Sequence, residues 1–485
     1  MSGVIINSSI KSKVKIVEPT SLSPRAIAVK LLAAVLEQRQ PLDSLVGYDG
    51  ASLAINSSGG EGLIRKLQQQ VQSLPSRDRA FVRLLVVTAL RHLGEIDHLL
   101  AERLRLEFRP KDEAARHLLR LGLVQCLWLE TPAHAAVNAT VAACEELEIA
   151  HLKPLVNGVL RALYRQKEIE SPLKSLDGFV LNLPTWLRQS WQKTYGNQNA
   201  RAIYRIIASP PPLDLSTVPN LPPEIKRDLL ENHGGIELPN GSLRLIETRA
   251  VTDLPGFDQP LWWVQDAAAS LPVQLLDIQA GEEVAEFCAA PGGKTLQLAS
   301  RGAKVWAIDR SVGRIKRLQQ NLARLQMTDQ VTTIVASVES WQPQRQFKKI
   351  LLDAPCSATG TLRRHPDIAR MKSAAEVAAL ALVQLRLLQA ALELLAADGM
   401  LVYCTCSLEA IEGEGVIAAA LQANPQLEVL RISAAQLSQG GDESAFTAMI
   451  NPDGFLRIIP CHWAEYGGID GFFAARLVWR DGIRA

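Results

Sequence analysis

Three short stretches of this 485-residue sequence bring together side chains capable of covalent chemistry. "LLDAPCSATG", Leu351 to Gly360, fixes a carboxylate, Asp353, and a thiol, Cys356, within one turn of each other. "LVYCTCS", Leu401 to Ser407, ends another apolar run and supplies a second thiol, Cys406. "EFCAAPGGKT", Glu286 to Thr295, closes like a phosphate-binding loop in Gly-Lys-Thr, but Cys288 stands where that loop needs its first glycine.

The Gly-Gly turn follows a buried β-run and opens a helix, so Gly292 and Gly293 let backbone amides approach a ligand closely. Taken alone, it reads equally well as a simple tight turn. The next β-run, in "VWAIDRS", ends at Asp309, where a carboxylate of a doubly wound fold can accept both hydroxyls of a ribose. Together these describe a nucleoside pocket with little provision for a pyrophosphate, and GxGxxG is absent. A nucleoside with an amino-acid tail and a cationic sulfonium in place of phosphates is S-adenosylmethionine. Lys294 in this setting reaches the substrate or the ligand carboxylate; as a bare surface lysine it is unremarkable.

Thiols narrow the acceptor. Methylating oxygen or nitrogen needs only a base, whereas C5 of a pyrimidine is a poor nucleophile until something adds to C6. A thiolate adds there reversibly. The C5 proton and the thiol must then leave, which requires a second acid–base group. Asp353 at the N3/N4 edge of cytosine would draw electron density from C6. Cys356 alone reads as a small buried hydrophobe, a reading weakened by Cys406 at the end of the neighbouring β-run. The spacing does not decide which sulfur attacks.

"CAAPGGKT", "DAPCSATG", "RRHPDI" and "YCTCS", in this order, resemble the RNA cytosine-5 methyltransferases, most closely the ribosomal small-subunit type known as RsmB, Sun or Fmu. "RHL", "AAVNATV" and "LVNGVLRAL" upstream resemble the NusB-like RNA-binding domain of that type. The resemblance implies that Cys288, Ala289, Ala290, Pro291, Gly292, Gly293 and Lys294 hold the methionine moiety of the cofactor and Asp309 its ribose. It implies further that Asp353 lies between cofactor and cytosine, that Cys406 is the nucleophile and that Cys356 assists product release. The sequence departs from the family pattern at Ser337, where an acid near the adenine is usual, and in "LEAIEGEG", where the family has Pro-Glu-Glu-Asn. "PPLDLSTVPN" also lacks an Arg-x-Asn often seen there.

These groups need a scaffold, and the hydrophobic pattern divides the chain into four parts. Residues 1–22 read as a flexible N-terminus and 23–168 as an all-α, NusB-like domain, with "YDGASLAINSSGGEG" as a loop insertion. Residues 169–260 read as a linker with a small RNA-recognition subdomain, whose "SPPPLDLSTVPNLPP" contains prolines that block helix and break any central strand. From 261 to 485, short β-runs alternate with helices, one running from about Ser373 to Ala397. This predicts a Rossmann-like class I methyltransferase domain, doubly wound and mostly parallel, with "GFFAARLVW" as an antiparallel edge strand. In such a sheet every motif above sits at the carboxyl end of a strand.

The 47% hydrophobic and 21% charged content suits soluble domains with ordinary cores, and a net charge of +2 permits RNA binding through local basic patches only. The loop "TLRRHPDIAR" is one such patch, with Arg363 and Arg364 as the expected phosphate contacts; a solvated charged loop is the plainer reading. Trp262 and Trp263 suit either base stacking or a domain-junction core. No apolar run has the length of a membrane span, His365 has no metal partners at ligand spacing, and the seven cysteines form no paired CxxC array. The expectation is a cytoplasmic monomer acting on small-subunit (16S) ribosomal RNA, without metal or membrane. The alternatives are an RNA-binding or ribosome-assembly module with weakened catalysis, or the same chemistry on another RNA.

Overall fold

The computed structural model describes residues 22–47, 61–104, 108–165, 173, 175–246 and 250–480. The expected flexible N-terminus, apart from Leu22, and positions 48–60 of the expected loop insertion lie outside the described residues.

The helical domain begins at Pro24–Gln38, where the Ser23 hydroxyl accepts from the Ala26 amide and Pro24 occupies the first turn, where its missing N–H costs nothing. Its apolar face, with Ile27, Leu31 and Leu32, packs against helices Ser76–Arg91, Glu113–Leu127, Ala133–Glu146 and Lys153–Arg165 in one continuous core.

Helix Thr185–Ile207 bridges to the next unit and changes direction at Gly196, whose φ of 77° lies in the left-handed region open to glycine. A small antiparallel sheet follows, of β1 (Leu213–Thr217), β2 (Gly235–Glu237), β3 (Leu243–Leu245) and β4 (Trp262–Val264), in the order β2-β3-β1-β4. The expectation that its prolines exclude a central strand is wrong. β1 pairs with strands on both sides, because Pro212 and Pro219 flank the ladder instead of interrupting it. β4 extends this unit to Val264, just past the expected boundary at 260.

The third unit is built on β5 (Glu283–Phe287), β6 (Lys304–Asp309), β7 (Val331–Val335), β8 (Phe347–Asp353), β9 (Leu395–Thr405), β10 (Leu427–Val429), β11 (Leu456–Ile458) and β12 (Phe472–Trp479). The sheet order is β10-β12-β9-β8-β5-β6-β7, with β5 to β9 parallel and β12 antiparallel to β9. The expected antiparallel strand is therefore present, but it is not an edge: β12 lies between β9 and β10, and β11 pairs with it as well. Apolar cores cover both faces of the sheet, so the strands read as near-continuous apolar runs. Helix Ala374–Glu393 is long and apolar enough to cross a membrane, but Leu387, Leu388, Ala391 and Leu392 pack it on the sheet. From β5 the strand order runs outward through β6 and β7 on one side and resumes with β8 and β9 on the other, and a doubly wound sheet opens its ligand crevice at that switch between neighbours β5 and β8.

Candidate active site

Beyond β5, Cys288 adopts φ 59° and Gly292 φ 108°, turning the chain sharply into helix Gly293–Ser300. A Cβ at Gly292 would lie 2.2 Å from Leu318, so only glycine lets helix Val312–Arg324 pack under this turn. The first amides of helix Gly293–Ser300 have no intrahelical acceptor, the kind of terminus that can take an anion. Ala290 N donates to Asp309 Oδ2 at 3.3 Å, which ties the turn to the end of β6. Asp309 also accepts from Ser311 N at 2.9 Å and pairs with Arg314 at 3.1 Å. Burial pushes the Cys288 thiol up to about 12, with Asp309 and Asp353 adding to the effect, so Cys288 stays a neutral packing group.

At the end of β8, Asp353 Oδ2 accepts from Lys294 Nζ at 2.8 Å, and Oδ1 faces Cys404 Sγ at 3.6 Å. Burial lowers the affinity of Lys294 for its proton, but Asp353 more than offsets this and the ammonium is held charged. Lys294 also lies over the ring of Phe472. Behind it Glu286 is fully buried, with one carboxylate oxygen unpartnered, and burial raises its pKa to about 8.

The two thiols meet. Cys356 follows β8, Cys406 follows β9, and their sulfurs are 3.5 Å apart. Asp353 and Cys404 are partners in the ladder between these strands, which sets both loops side by side. Gly360 donates to the Cys406 carbonyl, and a Cβ there would collide with Gly471 O at 2.2 Å. The hydrogen bond with Cys406, burial and nearby negative charge raise the Cys356 pKa well above the ordinary thiol range. All seven cysteines are free.

Other expected contacts fall elsewhere. Arg363 donates to Ser209 O, Ser209 Oγ and Gly467 O, and Arg364 pairs with Asp266 and Asp470. Both guanidinium groups thus have partners inside the protein, where the sequence expectation has them on RNA phosphates. Their loop is instead a joint: Leu42 N donates to Asp367, His365 pairs with Asp43, and Arg91 donates to Arg363 O. Trp262 and Trp263 are buried, their indole N–H groups bonded to Pro255 O and Gln265 Oε1, so they are core. Ser337 uses its hydroxyl within its own turn, with Ser340.

Sequence reasoning missed Glu286 and Glu412. Glu286 was signalled by an acid inside the apolar run "EVAEF". Glu412 lies in a stretch that departs from the family pattern, yet its carboxylate accepts from Ser357 N, Ser357 Oγ, Gln384 Nε2 and Ser407 Oγ.

A family profile described as 16S rRNA methyltransferase RsmB/F matches residues 273–478, and one described as NusB family matches residues 22–165. The chain is similar to the ribosomal RNA small subunit methyltransferase B of Yersinia enterocolitica, 33% identical over 465 residues covering 94% of this chain and 98% of the relative. A protein of the same name from Serratia proteamaculans is 35% identical over 371 residues, covering 75% of this chain and 86% of the relative. The crystal structure of PH0851 shares the fold, with a TM-score of 0.69 at 19% identity over 94% of this chain and 99% of that one. NSun6 from Pyrococcus horikoshii, solved with SFG, matches with a TM-score of 0.51 at 18% identity over 61% of this chain and 98% of that one.

Proposed function

The chain belongs to the 16S rRNA methyltransferase RsmB/F family, and on that premise we propose that it converts a cytosine of small-subunit ribosomal RNA to 5-methylcytosine through a covalent cysteine adduct. The observation that carries this reading is the 3.5 Å separation of the Cys356 and Cys406 sulfurs, just past the paired strand ends that carry Asp353 and Cys404. Methylation at oxygen or nitrogen has no use for such a pair.

The residues around the crevice fit S-adenosylmethionine. Asp309 offers a buried carboxylate for two ribose hydroxyls, and the helix terminus at Gly293 and Lys294 offers amides for a carboxylate. Bound there, S-adenosylmethionine supplies an electrophilic methyl group. Cys406 Sγ, as thiolate, forms a bond to C6, and the C5=C6 electron pair becomes available at C5 for the methyl. Asp353, steadied by Lys294, sits to hydrogen-bond the N3/N4 edge of a cytosine drawn out of its stack. A base then takes the C5 proton, the C5=C6 bond reforms and the C6–S bond breaks, returning the electron pair to Cys406. Cys356, 3.5 Å from that sulfur, is the group within reach for this second half.

Two single substitutions test the division of labour on a denaturing gel with RNA and S-adenosylmethionine. Cys406→Ala is expected to abolish methylation and form no RNA adduct. Cys356→Ala is expected to methylate once and stall as a slow-migrating adduct. An adduct with Cys406→Ala and none with Cys356→Ala would reverse the roles, and full activity of both variants would remove thiol catalysis. Bisulfite mapping of RNA from a deletion strain tests the 16S assignment against another RNA.

A further inference from the structure

Glu412 has no exposed surface and, among the described residues, no cation within hydrogen-bond reach, yet its carboxylate accepts four hydrogen bonds from three segments. Its Oε1 takes Ser357 N and Gln384 Nε2, each at 2.8 Å. Its Oε2 takes Ser407 Oγ at 2.5 Å and the Ser357 hydroxyl. Ser357 directly follows one thiol and Ser407 directly follows the other. The same two hydroxyls lie 3.1 Å apart, and Gln384 reaches on to the carbonyl of Pro355 at 3.0 Å, just before Cys356. Glu412 is itself fixed, because its carbonyl accepts from the buried hydroxyl of Tyr403 at 2.7 Å.

We propose that Glu412 is a positioning residue for both thiols: one carboxylate clasps the residues that follow Cys356 and Cys406 and thereby sets the distance between the two sulfurs. The inference rests on the two-thiol reading above. An interior carboxylate is costly to bury without a cation, and here four donors compensate it. Two of those four come from Ser357 and one from Ser407, so the compensation is complete only while both loops are in register. Glu412 touches no reacting atom. Its action is geometric, and misplacement of a reacting group by about 1 Å can cost on the order of 100-fold in rate.

Reach and charge are separable by substitution. Glu412→Gln keeps the length and the fork, and the two serine hydroxyls can reverse to accept from its amide. Glu412→Asp keeps the charge but is one methylene too short to hold both loops. In single-turnover methylation of the ribosomal RNA, Glu412→Gln is expected to stay within roughly 10-fold of the parent and Glu412→Asp to fall by about 100-fold. Affinities for S-adenosylmethionine and RNA should stay within about two-fold for both. Adduct build-up in a Cys356→Ala background should slow in the same order. Parental rates for Glu412→Asp, or a larger loss for Gln than for Asp, overturn the proposal. Should Glu412→Asp fail to fold, the Ser357→Ala plus Ser407→Ala variant decides: a slowed rate with unchanged affinities supports the clasp, and a parental rate overturns it. If that variant also loses its fold, Glu412 is structural only and the proposal falls. Activity surviving in Cys406→Ala would instead defeat the thiol reading itself, a result separate from a dead Cys406→Ala beside a fully active Glu412→Asp.

Discussion

Two clusters of buried charge use the same composition to opposite ends. At the joint between the small sheet and the methyltransferase domain, Arg244 and Arg364 meet Asp214, Asp266 and Asp470. At the crevice, Lys294 and Arg314 meet Glu286, Asp309 and Asp353. Each has two cations and three acids. In the joint, Arg244 forks onto Asp214 with two bonds of 2.7 Å, and its remaining donors reach the carbonyls of Tyr466 and Gly468. Arg364 likewise adds the Pro212 carbonyl to its two acids. In the crevice, Glu286 keeps an unpartnered oxygen, Asp353 is a third exposed, and Arg314 reaches out toward solvent. A charge cluster closed on itself holds domains together. One left open retains capacity for a ligand.

The contrast makes four measurements informative. The largest effect belongs to Arg244→Met, which leaves Asp214 buried without its partner; thermal or denaturant unfolding should register a loss of about 3–5 kcal/mol. Calorimetric titration of the folded variant should find S-adenosylmethionine affinity unchanged, and weakened binding would show that the clusters are not independent.

Asp309→Ala should reverse that pattern. Each charge-assisted bond to the ribose is worth about 1.5–3 kcal/mol, so cofactor affinity should fall at least roughly 10-fold. Parental affinity would remove the ribose assignment.

Glu286 gives the crevice a pH signature. Its folded value of about 8 lies above the ordinary 4.5, so between these values the native protein holds a proton that the unfolded chain has released. Stability therefore falls as pH rises through this window, by at most about 1.4 kcal/mol per pH unit from this group. Glu286→Gln, compared with the parent at pH 5 and pH 8 by denaturant unfolding, should lose that slope. An unchanged slope would place its origin elsewhere.

The smallest expected effect is a null one. A phosphate contact contributes roughly 0.7–0.9 to the log–log salt slope of RNA binding. Arg363→Ala should leave the slope of the folded protein unchanged, since its guanidinium is bonded to Ser209 and Gly467. A shallower slope would return this loop to the RNA interface.

These measurements also mark where the sequence was legible. Strand–helix alternation and motifs at strand ends place Cys288, Asp309, Asp353, Cys356 and Cys406 around one crevice, because each motif is local and the parallel sheet gathers strand termini on one edge. The internal partners of Arg363 and Arg364 were not legible, because a guanidinium in a polar loop carries no mark of its direction. The partners of Arg364, Asp266 and Asp470, lie about a hundred residues away on either side. The proline-flanked β1 misled for a related reason: a proline counts against a strand only where its missing N–H falls within the ladder. Glu412 was invisible because its function is spread over Ser357, Gln384 and Ser407, which only the folded chain assembles.

The loop that joins the domains limits modularity. Asp367 receives the Leu42 amide, His365 pairs with Asp43, and the Arg363 carbonyl receives Arg91, all within a dozen residues downstream of Cys356. The helical domain is thus not an appendage that a designer could exchange at the linker alone. A transplanted partner would need its own matches for Leu42, Asp43 and Arg91, or the graft would have to carry the 361–371 loop with it. A change on either side of the joint leaves a polar group on the other without its mate.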